Sequence, residues 1–315
     1  NGEIDWDVLA TMNKGLTNGI SNGNNGTVLA SSVNNHFWYG GVSNLTFDTK
    51  KGLTFNVGTD IRFYEGEHYQ QLNNLLGASG RAASNIQRSK DYVVDKTFSS
   101  SPWNSLFNKA KHSERIGFDN SERINYQGFF GQAEYSNELF SAFFQGAISW
   151  QEYEKYDNWN YTAESAEKQG IKFKNGKAYS GERTEIGYNL KAGFSINLNK
   201  ENSVFVNGGK YSRQPYLNNM FVRNTVTFVE PTVNNEEIQS IEAGYRYKTR
   251  TLRVNVNAYY TEWDNRADTY NDRDFTDANG LVHSNVRYLL NNLSQVHKGL
   301  EVDFDAKVTR DWTVR

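Results

Sequence analysis

The chain has 315 residues, a formal net charge of −2, no cysteine, three prolines and 14% aromatic residues, with a mean hydropathy of −0.75. The lack of cysteine excludes disulfides, thiolate metal sites and a cysteine nucleophile, and the near-neutral charge argues against a nucleic-acid binder, which would present a basic face. No stretch approaches the roughly 20 apolar residues of a spanning helix, yet 19 Tyr, 19 Phe and 7 Trp are many for so polar a chain.

Residues 1–35 are polar and rich in Gly and Asn, with an apolar-spaced start at Ile4, Trp6, Val8 and Leu9 that fits a short helix or strand. The first strand pair is His36–Asp48 and Leu53–Tyr64, turning at Lys50-Lys51-Gly52. In it Phe55, Val57, Ile61 and Phe63 fall on one face and Asn56, Gly58, Asp60 and Arg62 on the other, the period of two that an extended strand requires. A second pair follows at Asn125–Tyr135 and Phe140–Tyr153, a third at Ile186–Leu198 and Ser203–Arg213, and a fourth at Glu237–Lys248 and Leu252–Trp263. A ninth strand is expected at His297–Val308, and Trp312–Arg315 begins a tenth. Short turns near 50–52, 136–139, 199–202, 249–251 and 309–311 alternate with long polar loops near 65–123, 154–185, 214–235 and 264–295.

Strictly alternating short and long connections between amphipathic strands of about 10–13 residues point to an antiparallel transmembrane β-barrel, all-β in class. Only alternate residues then face lipid and aromatic girdles mark both interfaces, which reconciles polarity with aromatic content. A soluble antiparallel sheet would need an apolar layer over its outward faces, and the polar loops offer none. In such barrels the short turns are periplasmic and the long loops extracellular, which implies the outer membrane of a Gram-negative bacterium.

Five histidines, His36, His68, His112, His283 and His297, show no metal-ligand spacing, and no catalytic set or cofactor motif is visible, so neither an enzyme nor a metal or cofactor site is expected. The acidic loop 264–280 is rich in oxygen ligands but breaks the EF-hand spacing, which leaves calcium open. The charges Arg62, Glu134, Lys191, Glu242, Arg246, Arg253, Glu301 and Asp303 are expected on a wet lumen face. Loop residues Trp103, Tyr156, Trp159, Arg213, Tyr216 and Tyr270 are the candidate ligand-binding set, since aromatic and polar loop groups suit capture of sugars or aromatic chelates. The alternative is that these aromatics pack loop against loop.

Several segments go beyond class. They are Val33-Asn34-Asn35-His36-Phe37-Trp38-Tyr39-Gly40, Asp60–Tyr69 with Leu75-Leu76-Gly77, Phe130–Tyr135, Tyr211–Pro215, Asn234–Ile238, Glu242–Tyr245 and His297–Phe304. In order and spacing this set resembles the barrel of TonB-dependent outer-membrane receptors from about 33 to 315. The resemblance implies a 22-stranded barrel with an N-terminal plug, of which about ten strands and no plug or TonB box are present here. On this reading residues 1–35 are an extracellular segment, residues 36–315 a partial barrel, and the sequence an internal piece of a longer protein.

The resemblance further implies active transport. A scarce nutrient such as a ferric siderophore, cobalamin-like cofactor, oligosaccharide or peptide would bind at the extracellular loops and pass inward when the TonB complex pulls on the plug. Outer-membrane lipid and a surface lipoprotein are the other implied partners. The competing readings are a passive porin-like or adhesin barrel and, ranked below it, an outer-membrane hydrolase.

Overall fold

The computed structural model describes residues 3–222, 225–276 and 278–314, with side chains for all of these but Ser105, 269–273, Phe275 and 283–288. Ten antiparallel strands, each bonded to the next in sequence, form the path of one sheet, which the short strands Lys172–Lys174 and Lys177–Tyr179 join off that path. They are β1 Leu29–Asp48, β2 Leu53–Asn74, β3 Ile116–Ser136, β4 Phe140–Asp157 and β5 Arg183–Asn197. Then come β6 Asn202–Arg213, β7 Glu236–Lys248, β8 Leu252–Thr276, β9 Val282–Lys307 and the short β10 Thr313–Val314. Among the described residues the sheet does not close, since β1 and β10 end it. None of the described helices is long and apolar enough to cross a membrane.

The turns at one end are short because their polar side chains cap the backbone locally. Asn137 Oδ1 accepts from the amides of Leu139 and Phe140, both at 2.8 Å, and Asn199 Oδ1 accepts from Glu201 and Asn202, both at 2.9 Å. The β1–β2 turn holds Lys50 and Gly52 at φ of 61° and 79°, a conformation that glycine adopts without strain.

Register separates the two faces. One cross-strand row reads Phe55, Ala133, Phe144, Ala192, Gly208, Ile241, Tyr260, large beside small, so that a nearly continuous apolar surface results. The next row reads Glu134, Phe143, Gly193, Asn207, Glu242, Tyr259, Gly299. All eight expected lumen charges share this polar face. The apolar face is edged with rings at both ends: Tyr39 stacks on Phe63 at 5.1 Å and Phe129 meets Trp150 at 6.2 Å toward the long loops. Tyr135, Phe140 and Phe194 follow one another at 5.4 and 5.7 Å near the turns.

Rings on the polar face lie flat over cross-strand glycines. A Cβ built on Gly58, Gly193 or Gly244 would fall 2.3 Å from a ring carbon of Phe130, Phe143 or Phe205 respectively. The glycines leave the sheet a groove, and the neighbouring ring covers the bare backbone in place of a side chain.

The strands outrun the sequence expectation at the long-loop end. β2 and β3 reach Asn74 and Ile116, so the connection is 75–115 and not 65–123. β1 begins at Leu29, inside the segment expected to precede the barrel. The expected loop 264–295 is mostly ribbon, with β8 and β9 of 25 and 26 residues. Alternation is weak in sequence beyond the girdles because the period-two signal requires one wet and one dry face.

The buried core sits in this layer and not between the sheet's faces. Leu72, Ala83, Val94, Ile116 and Trp159 form one cluster, Tyr161, Ala166, Ala178 and Val226 another, and Tyr153, Leu217, Met220 and Phe221 a third. Helix α1, Trp6–Lys14, joins through Asn13, whose Nδ2 donates to the carbonyls of Thr27, Leu75 and Leu76 at 2.7, 3.1 and 2.9 Å.

Candidate functional site

The loop 214–235 leaves β6 and folds over the polar face. Tyr153, fully buried, donates from Oη to the Pro215 carbonyl at 2.5 Å, and Leu217, Met220 and Phe221 pack on its ring. Gln214 Nε2 donates to Ser149 Oγ at 2.8 Å, and its amide fills the space that the missing side chain of Gly187 leaves open. On the return, Asn235 Nδ2 donates to Ser212 Oγ at 2.9 Å and the Arg183 guanidinium stands 4.3 Å over Phe228.

The two stems of this loop carry a charged cluster. Arg213 ends β6 opposite Glu236, which begins β7; the pair forms a salt bridge with the Glu236 carboxylate almost fully buried. The Arg213 guanidinium lies 4.5 Å over the ring of Tyr216 and donates to its hydroxyl at 2.5 Å. Arg266 reaches Glu236 Oε1 from the other side with Nε at 3.0 Å. A β-bulge between Trp263 and Arg266, with Asn265 at φ 55°, aims Arg266 at the cluster, the re-aiming that bulges provide. Arg266 also bonds Gln295 and lies 5.5 Å over the Trp263 ring.

Two guanidiniums around one carboxylate leave a net positive charge with free donors at an exposed rim. Tyr216, 62% exposed, offers a ring face beside them. The cleft that Arg213, Tyr216, Asn219, Glu236 and Arg266 line has a volume of about 40 Å³, room for one or two waters. The arrangement is therefore an open surface rim and not a pocket that could enclose a ligand.

Of the sequence candidates, Arg213 and Tyr216 come together here. The others do not join them. Trp159 is buried in the loop core. Tyr156 sits on the apolar-face side, since it pairs with Ser121 beside the outward pair Arg123–Glu154, and stacks on Tyr179 at 4.9 Å under Lys177. Burial, with Glu154 alongside, pushes its phenol up to about 12. Trp103 lies on that same side, and the side chain of Tyr270 is outside the described residues. Glu236 and Arg266 were not singled out from sequence. Glu236 faces Arg213 across the loop and could have been found as its partner, whereas Arg266 depends on a bulge that leaves no trace in the pattern.

Elsewhere, His36 and His68 bring their rings to 5.6 Å, and His297 lies 6.4 Å from Trp263. His112 hydrogen-bonds with Asp119 at 2.6 Å, and Arg115 Nη1 donates to the same carboxylate at 2.6 Å. Burial opposes the charge on Asp119, but His112 and Arg115 together hold its carboxyl below the usual range. The side chain of His283 is outside the described residues. Asp264, Asp268 and Asp274 of the acidic segment lie on β8, a ribbon and not the expected loop, and Asp272 and Asp277 are outside the described side chains. Among the described residues no group of three or more His, Asp or Glu is arranged to hold a metal ion.

A search of curated protein sequences gives no match. Among solved structures the fold is similar to a copper transporter, OprC, with a TM-score of 0.55 and 12% identity over 90% of this chain and 37% of that one. It is also similar to the Serratia marcescens hemophore receptor HasR, solved with its hemophore HasA and heme, with a TM-score of 0.50 and 12% identity over 88% of this chain and 40% of that one. The chain thus spans about two fifths of the length of these structures. The family model described as TonB dependent receptor-like, beta-barrel matches residues 4–315, and the chain belongs to that family.

Proposed function

We propose that this chain is part of an outer-membrane importer that captures a scarce nutrient at its extracellular rim and passes it to the periplasm with TonB energy. The family is one of Gram-negative outer-membrane receptors and transporters, not enzymes, and that supports the location. The apolar face then meets lipid and the polar face lines the lumen. The long-loop end is extracellular.

The observation that carries the reading is the loop 214–235, folded across the polar face with Arg213, Tyr216 and Arg266 at its stems. A loop that only closed the barrel's surface would have no reason to hold two guanidiniums around one carboxylate at the lumen mouth. The surplus positive charge and the exposed ring favour a ligand that offers hydrogen-bond acceptors on a flat or conjugated frame, such as a ferric chelate.

The test uses the full-length protein in outer-membrane vesicles and a panel of ferric siderophores, heme, a cobalamin and oligosaccharides. Saturable binding of one class, weakened tenfold or more by Arg213→Ala with Tyr216→Phe, supports the reading. Uptake of that ligand should stop when a protonophore collapses the proton gradient. Ungated conductance in planar bilayers with no binding across the panel refutes it in favour of a passive barrel.

A further inference from the structure

The connection 75–115 does not stay over the mouth. Its second half turns down the outside of the β1–β2 hairpin, and register shows this directly. Val33 and Tyr69 are cross-strand partners on the same face as Phe37, Tyr39, Phe63 and Glu65. Phe98 and Ala110 cover them, and the Arg115 guanidinium lies 3.9 Å over Tyr69. Lys109 Nζ bonds Glu67 Oε2 at 2.6 Å and stands 5.6 Å over the Phe37 ring.

Between Phe98 and Lys109 the short helix Pro102–Phe107 packs beside β1. Trp103, Leu106 and Phe107 occupy positions i, i+3 and i+4, so they share one face, which is bare at Trp103 and Phe107 and partly covered at Leu106, 38% exposed. Trp103 is 76% exposed and Phe107 87% exposed.

Height along the wall decides what this face meets. Tyr39 and Phe63 form the upper aromatic pair, and the first charged pair on that face, Glu65 with Arg123 at 3.2 Å, lies two residues higher. Phe37 is opposite Glu65, so Lys109 sits about 7 Å farther along the strand at ~3.3 Å per residue, or roughly 5 Å above the girdle at the usual strand tilt. That is the depth of the headgroup layer, roughly 5–8 Å thick on each side of the hydrocarbon.

We propose that Pro102–Phe107 is an interfacial anchor that seats Trp103, Leu106 and Phe107 in the outer leaflet of the membrane. The inference rests on the membrane reading above and on continuity of this apolar face with the girdle below it. Aromatic side chains on a short amphipathic element at headgroup depth are favoured there, with their apolar bodies toward the acyl boundary. The loop is then tethered at two points, to the loop core through Ala83 and Val94 and to lipid through the helix.

The experiment places a nitroxide at Trp103→Cys or Phe107→Cys in the full-length protein, otherwise free of reactive thiols, in lipid nanodiscs. Collision rates are compared for oxygen, which partitions into lipid, and for a water-soluble nickel chelate. A label at Leu300→Cys, on the apolar wall of β9, serves as the membrane control, and one at Lys90→Cys as the aqueous control. Oxygen favoured at least threefold over the chelate at 103 and 107, as at 300, is the expected result. Chelate-dominated collisions at 103 and 107 with a lipid-type signal at 300 overturn the anchor alone. Silence to both probes there means that protein covers the helix, which overturns it as well. An aqueous signal at 300 overturns the membrane reading itself.

Discussion

Replacing Arg88 by alanine should unfasten the loop layer without harming the sheet. The Arg88 guanidinium is held between two rings, 4.7 Å from Tyr92 and 4.6 Å from Trp159. It donates to the carbonyls of Arg115 at 2.7 Å and Ala83 at 3.4 Å, and also to that of His112. One side chain thus ties the connection 75–115 both to itself and to the segment after β4. Two ring contacts contribute about 1 kcal/mol each when partly desolvated, and the two short charge-assisted bonds about 1.5 kcal/mol each at the low end. These add to about 5 kcal/mol, and solvent screening of one half-buried group brings the effect down to on the order of 3–4 kcal/mol, a factor of roughly 10²–10³ in a local opening equilibrium. Hydrogen exchange read by mass spectrometry should show protection in 80–95 and 158–162 falling by about that factor, with β5–β7 unchanged. Arg88→Lys keeps the charge but loses the planar stack and the paired donors, so less than half should be recovered. Unchanged exchange in the Arg88→Ala variant would refute the argument that these loops share one core.

Two further tests concern other parts of the molecule. The Asp119 carboxyl is held below its usual value in the fold by His112 and Arg115 against the cost of burial, so its contribution to stability is present above the unfolded value of about 3.9 and is lost as pH falls through the folded one. Exchange protection of 96–119 should therefore drop as the pH is lowered below about 4, and Asp119→Asn should remove that acid step while lowering protection at neutral pH; a pH profile that the substitution leaves unaltered would sink the assignment. In the lumen, Gly244→Val would drive a Cβ to within 2.3 Å of the Phe205 ring and push that ring off its stack with Arg246, which stands 4.3 Å away. The cost should be about 1–3 kcal/mol of overpacking, read as a lower urea midpoint on refolding, and adding Phe205→Ala should cost less than the sum of the two changes, since the clash is then gone.

The expected apolar faces of β2, β4, β5 and β9 were legible because a membrane barrel writes its wall in the simplest code available, one residue in two. Phe55, Val57, Phe144, Leu190, Leu300 and Val302 all carry it, and Lys191, Glu242 and Glu301 fall on the other face as alternation requires. The same code failed above the girdles. Tyr69 and Asp119 are partners on an outer wall that other protein covers, so a charged residue and a buried ring sit side by side where alternation predicts nothing. Loop aromatics were ambiguous for a related reason. Trp159 and Trp103 are equally apolar and both followed by asparagine, yet one is core and the other bare, because the outcome depends on whether Arg88, 71 positions before Trp159, arrives to cover it.

The candidate rim shows how the two regimes meet. Arg213 and Glu236 are set by the ladder, being the last and first residues of consecutive strands in register, and any barrel with these residues at those positions would pair them. Arg266 is set by a bulge, and Tyr216 by a loop that must fold inward before its ring can lie under Arg213. A scaffold fixed by regular hydrogen bonding thus holds half of the cluster rigidly, while the other half hangs on irregular backbone whose local stability is lower. On the importer reading proposed above, that division would suit capture: the Arg213–Glu236 pair is held by the ladder, and Arg266 and Tyr216 are the groups that would shift if a ligand took the place of one of their protein partners.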